Sequence, residues 1–224
     1  MLRIETSSLV LALALSAGCA ATKGFPAPRT ASESFDASAS LPAGWSPASA
    51  NGGATPAPWI VHADATAPSG PNVLASLPSD DAPQDGFNLC WTTSVGFEDG
   101  VIEARVRADG GEVDQGGGLI WRALGPDDYY ICRYNPLESN FRVYLVAGGV
   151  RRQLATAHVP GDGKGWHALR VEHVGGRIVC MLDGTVKLEA QDDTQPHRGG
   201  VGFWTKADAR TSFDDLRVTP AGAR

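Results

Sequence analysis

Five side chains on strand-like runs have the chemistry to hold a polar, ring-shaped ligand: Arg122, Arg142, Tyr144, Trp204 and Lys206. Successive side chains on a strand point to opposite faces. With Trp121 turned into a core, Arg122 therefore faces out, where its planar fork can take a pair of hydroxyls or a carboxylate. Arg142 and Tyr144 share one face of Phe141–Val146, opposite Phe141, Val143 and Leu145. In Val201–Lys206, Trp204 and Lys206 lie on the face opposite Phe203. An indole there can stack on the apolar side of a pyranose while the ammonium donates hydrogen bonds. Glu103 alternates with Ile102 and Ala104, which sends it to the same open side as Arg122 and Lys206. It is the candidate proton donor or acceptor for hydrolysis, with a cross-strand ion pair to Arg122 as the alternative role. Packing in the core or at a rim is the alternative for Trp204.

Other chemistries find no support. His167 and His173 share a strand face with Leu169 and Val171, and no acid stands near them at metal-ligand spacing. There is no serine nucleophile motif, phosphate loop or dinucleotide fingerprint. A net charge of −6 and a pI near 5.3, with no basic run, argue against nucleic acid as a partner. A monomer is expected. Cys90, Cys132 and Cys180 offer no CxxC pair. Cys132 and Cys180 sit inside apolar patterns, either as small buried hydrophobes or as a bridged pair.

The positioning elements are short strands. Twelve runs read as β: Trp59–His62, Val73–Leu77, Phe87–Thr92, Val101–Arg107, Leu119–Ala123, Tyr129–Tyr134, Phe141–Val146, Trp166–His173, Ile178–Leu182, Val186–Ala190, Val201–Lys206 and Phe213–Val218. Gly-Pro-Asp-Asp, Val174-Gly175-Gly176-Arg177 and Asp183-Gly184 supply turns between them. No amphipathic helix interrupts the series, and the stretch 41–57 is expected to be irregular. Strands at this spacing predict an all-β, two-sheet antiparallel sandwich over residues 35–220. Ahead of it, Ala, Ser, Thr and Pro in 19–34 predict a flexible tether. Residues 1–18 carry a short apolar core ending in Ser16-Ala17-Gly18, a secretory leader too short for a retained span. Leu15-Ser16-Ala17-Gly18-Cys19 resembles a bacterial lipobox, which implies lipidation at Cys19, an outer-membrane or cell-surface location and no other membrane contact; plain secretion and, after it, a retained N-terminal anchor are the alternatives.

Taken in order, several strings resemble a concanavalin-A-like lectin/glucanase jelly-roll module of the laminin-G-like kind, which implies that the two-sheet antiparallel sandwich is a jelly roll. The group includes 3-keto-disaccharide hydrolase domains and family 16 glycoside hydrolases. The strings are Gly116–Arg122, Asp128-Tyr129-Tyr130, Trp166–Val171, Leu182-Asp183-Gly184, Gly200–Lys206 and Phe213–Val218. The resemblance implies a carbohydrate partner held on a concave sheet face. It also implies that first and last strands pair, which would bring Asp36 to Asp214 and Asp215 as an oxygen-rich site for a structural calcium. The family 16 carboxylate string ExDxxE has its nearest counterpart at Glu112-Val113-Asp114-Gln115-Gly116-Gly117, which ends in glycine. Glycan binding is accordingly the first functional expectation. Hydrolysis of (3-keto-)glucosides through Glu103, with Asp114 or Asp208 in reserve, is the second, and a structural or adhesive envelope role is the third.

Overall fold

The computed structural model describes residues 24–51, 55–161 and 164–223, which form fifteen strands and no helix. In chain order they are β1 (Ala31–Glu33), β2 (Trp45–Ala50), β3 (Trp59–Ala63), β4 (Asn72–Ser76) and β5 (Phe87–Phe97). Next come β6 (Gly100–Gly110), β7 (Gly117–Gly125), β8 (Asp128–Asn135), β9 (Asn140–Ala147) and β10 (Val150–His158). The last are β11 (His167–Val174), β12 (Arg177–Leu182), β13 (Thr185–Gln191), β14 (Gly199–Lys206) and β15 (Arg210–Pro220). All twelve expected strands are present. The additions are β1, which lies inside the expected tether and pairs with β15; β2, in the stretch expected to be irregular; and β10. The expected leader and the expected lipidation site Cys19 lie outside the described residues.

The strands form two antiparallel sheets. One runs β13-β12-β11-β6-β15-β4-β3 with β1 added beside β15, the other β10-β9-β8-β7-β14-β5-β2. Ile102, Ala104, Val106, Leu169, Val171, Cys180 and Phe213 of the first sheet meet Leu119, Trp121, Tyr130, Cys132, Val143, Val201 and Phe203 of the second across the main core. Alternation places each of these opposite an outward neighbour. Burial of such apolar side chains contributes roughly 1.5–3 kcal/mol each. Cys90, Cys132 and Cys180 are buried free thiols in this core. Burial pushes the Cys90 thiol up to about 12. Burial and a hydrogen bond with Cys180 across the sandwich raise that of Cys132.

The seven-stranded sheet is buried on its outer face as well. Phe87, Leu89, Ile120, Tyr129, Ile131, Tyr144, Val146 and Trp204 form a second apolar cluster there. This explains why β7, β8 and β14 are buried at nearly every position rather than at every second one.

A cationic, aromatic cleft on the seven-stranded sheet

Arg151 shows the shape of that outer face. Its guanidinium lies 4.9 Å from the ring centre of Phe87, 4.7 Å from that of Tyr144 and 5.9 Å from that of Trp204. Arg151 is on edge strand β10 and Phe87 on β5, five strands away. In a flat sheet that separation is about 24 Å, beyond the combined reach of the two side chains. The sheet therefore curls toward this side, and the outer face is concave.

Phe87 and Trp204 pack at 5.1 Å between ring centres. The Trp204 indole N–H donates to the Tyr129 hydroxyl at 3.1 Å, and burial raises the Tyr129 phenol. The cluster is a box of rings with one guanidinium laid over it, an arrangement that gains from the negative faces of the rings. Beside the box runs a polar network. Arg133 donates to both oxygens of Asp114, at 3.1 and 3.0 Å, and to Glu138 at 2.6 Å. Asn135 donates to Asp114 at 2.8 Å, and Lys206 Nζ stands 3.9 Å from it. Arg142 contacts Glu138 at 3.3 Å and the Tyr144 hydroxyl at 3.5 Å. Burial raises Asp114 against the opposing pull of Arg133 and Lys206. For Glu138 burial also acts upward, but the Asn140 hydrogen bond and the charges of Arg133 and Arg142 outweigh it and lower the carboxyl. Asp208 accepts the backbone N–H groups of Glu112, Val113 and Asp114 and so fixes the loop that delivers Asp114. Those donors outweigh burial and lower its carboxyl.

The structure brings Arg142, Tyr144, Trp204 and Lys206 together on this face and leaves Arg122 and Glu103 out. Arg122 has φ +46° at an irregularity between β7 and β8, which takes its side chain out of the alternation. It runs to the rim and donates to the carbonyls of Glu98 (2.8 Å), Gln195 (3.1 Å) and Gly175 (3.1 Å), and pairs with Asp99 at 2.9 Å. At 1% exposure it is a structural clamp and not a ligand contact. Glu103 lies on β6 in the other sheet and pairs with Arg170 of β11 at 2.8 Å. Its catalytic assignment therefore lacks the partners expected for it. Trp204 is on the expected face but only 1% exposed, so it is the floor of the cleft rather than a free platform.

Trp91 is an aromatic side chain of this face that sequence reasoning missed. It is half-buried, on the same face as Leu89, and packs against the cluster. Its indole lies over Gly200 and its Cα and Cβ over Gly202, where an added β-carbon would collide with them. The Gly-Val-Gly string before Phe203-Trp204 was the available signal. Arg151 was missed because β10 was.

Asp36, Asp214 and Asp215 do lie near one another, because β1 pairs with β15. Their oxygens are engaged by donors. Asn72 N–H bonds Asp36 at 2.9 Å, Ser69 N–H bonds Asp214 at 3.1 Å, Ser69 O–H bonds Asp215 at 2.6 Å and Asp215 N–H bonds Asp214 at 2.7 Å. Among the described residues no group of three or more His, Cys, Asp or Glu is arranged to hold a metal ion. These carboxylates thus fit a hydrogen-bonded strand end better than a calcium site. Burial and the charges of Asp215 and Asp36 hold the Asp214 carboxyl up at about 6.

No protein-family model and no curated protein matches the sequence. Solved structures do. A carbohydrate-binding module from Bacillus subtilis superposes with a TM-score of 0.62 at 17% identity, covering 79% of this chain and 96% of its own. A prokaryotic β-1,3-1,4-glucanase (lichenase) from a mouse hindgut metagenome gives 0.57 at 14%, covering 85% and 99%. A Bacillus licheniformis β-glucanase gives 0.53 at 13%, covering 85% and 97%. With two antiparallel sheets, a doubly buried concave sheet and this likeness over most of its length, the chain has the concanavalin-A-like jelly-roll fold.

Proposed function

We propose that the protein binds carbohydrate on the concave face of the seven-stranded sheet and does not turn it over. The observation that carries this reading is Trp91. It is a partly buried indole on the concave face, bordered by backbone glycines and continuous with an aromatic floor, with part-exposed Arg142 and Lys206 further along the same face. An exposed ring on a preformed concave surface stacks on a sugar ring at little entropic cost, and nearby cations orient the hydroxyls. The jelly-roll likeness to a carbohydrate-binding module supports the same reading. Hydrolysis is disfavoured because a glycosidase needs a carboxyl free to give or take a proton beside the scissile bond. On this face Asp114 and Glu138 are both held by Arg133, and Glu103 is on the other sheet.

The test is glycan binding by the parent and by Trp91→Ala. The variant should bind about 10- to 100-fold more weakly, the effect of losing a good aromatic contact, with its unfolding midpoint little changed. Unaltered affinity in both Trp91→Ala and Arg142→Ala removes the concave face as the site. Release of reducing sugar by the parent replaces binding with hydrolysis.

A further inference from the structure

The charge of the cleft narrows the ligand class. The chain carries a net −6, yet the concave face gathers Arg133, Arg142, Arg151 and Lys206 around the ring box. The carboxylates within their network are Asp114 and Glu138. The groups form a closed circuit. Lys206 approaches Asp114, Asp114 binds Arg133, Arg133 binds Glu138, Glu138 binds Arg142, Arg142 reaches the Tyr144 hydroxyl, and Arg151 covers the Tyr144 ring. Arg151 closes the circuit through Phe87, whose register partner is Lys206.

Within this circuit Arg151 stands apart. Among the described residues it has no carboxylate partner, and its Nη1 is buried with no hydrogen-bond acceptor. Asp127, in the turn between β7 and β8, acts on the Tyr129 phenol from beyond the box but forms no ion pair with Arg151. The charge of this half-buried guanidinium is therefore balanced by ring faces alone and by no carboxylate among the described residues. Three aromatic faces already hold the guanidinium in place, so an arriving anion would meet a fixed fork rather than a mobile chain.

We infer, on the reading that this face binds glycan, that the ligand is an anionic glycan. Its carboxylate or sulfate groups meet Arg151, Arg142 and Lys206 while its ring lies on Trp91. Uronic acids and sulfate esters share this chemistry, and the cluster of cations is suited to both.

Calorimetric titration of the full chain distinguishes the possibilities. The probes are polygalacturonate against its methyl-esterified, neutral counterpart, and a sulfated galactan against its desulfated counterpart. At least one anionic member should bind roughly tenfold or more tighter than its neutral partner, as expected for hydrogen bonds to a charged group. That preference should shrink between about 50 mM and 500 mM salt. Arg151→Met, which keeps apolar cover on the rings, should narrow the preference, as should the part-exposed Arg142→Met. Arg177→Met, at a surface ion pair on the other sheet, should leave it unchanged. Equal binding of neutral and anionic members overturns the inference and leaves the glycan reading standing. Binding of none of the four overturns both. An anionic preference untouched by both Arg151→Met and Arg142→Met overturns its assignment to this cluster.

Discussion

The residues of one composition class divide by what surrounds them. Arg122, Arg151 and Arg170 are all strand-borne arginines, yet one clamps the rim, one covers a ring box and one makes a half-exposed ion pair. Arg122→Ala strands the carbonyls of Glu98, Gln195 and Gly175 and unpairs Asp99. It should cost about 3 kcal/mol or more in urea unfolding. Glu103→Gln should cost less than about 1 kcal/mol, because an ion pair with both side chains 36% exposed is screened by water. Trp204→Ala empties a site in contact with Phe87, Arg151 and Tyr129 and should cost about 3–5 kcal/mol. If Glu103→Gln destabilises more than Arg122→Ala, the roles given to the two residues are reversed. Strand parity put Trp204 on the correct face because alternation is a local property of the backbone. It could not give the burial of Trp204, which depends on a side chain arriving from β10.

At the level of elements, the expected strands were those whose apolar residues face the core, since burial writes that pattern into the sequence. β10 reads Val-Arg-Arg-Gln-Leu-Ala-Thr-Ala-His and is exposed or half-buried throughout, as befits an edge strand. It shows no alternation to find, and the residue that closes the cleft went unseen with it. β2, at the opposite edge, carries Pro47 and short polar side chains for the same reason. The two-sheet sandwich was legible from the spacing of turns, whereas the concave face came only through the family resemblance, because the curl of a sheet arises from twist accumulated over several strands. Close approach of strands is also written in glycine. A β-carbon on Gly202 would meet the carbonyl oxygen of Cys90 and come within 2.6 Å of Trp91 Cβ. Gly202→Ala must therefore push β14 from β5 or displace Trp91. The expected result is a loss of roughly 1–3 kcal/mol in stability and, on the proposed glycan-binding reading, weaker binding because Trp91 is moved. Native stability and affinity in Gly202→Ala would show that Trp91 is not seated as described.

At the level of the whole molecule, two buried groups at different places in the sandwich make opposite demands on pH. His173 accepts the Trp121 indole N–H at 2.9 Å, so its ring is neutral. Burial, aided by the Arg122 charge, lowers it from 6.5 to about 4. The unfolded chain therefore takes up this proton first, and the stability tied to His173 is present above pH 6.5 and lost as pH falls toward about 4. Asp214 is raised from 3.8 to about 6 by burial and by Asp215 and Asp36. Here the folded chain holds the proton, so the stability tied to Asp214 is present below pH 3.8 and lost as pH rises through about 6. Between about pH 4 and 6 the two slopes oppose, each limited to about 1.4 kcal/mol per pH unit. The parent should accordingly show a shallow pH dependence in that window. Asp214→Asn removes one falling slope and should make stability rise with pH more than in the parent from 4 to 6. His173→Asn keeps an acceptor for Trp121, removes the other slope and should leave stability falling over the same range. Urea midpoints at pH 4, 5 and 6 for the parent and both variants decide the matter. Parallel profiles in all three would mean that neither group titrates in the folded protein as its surroundings require.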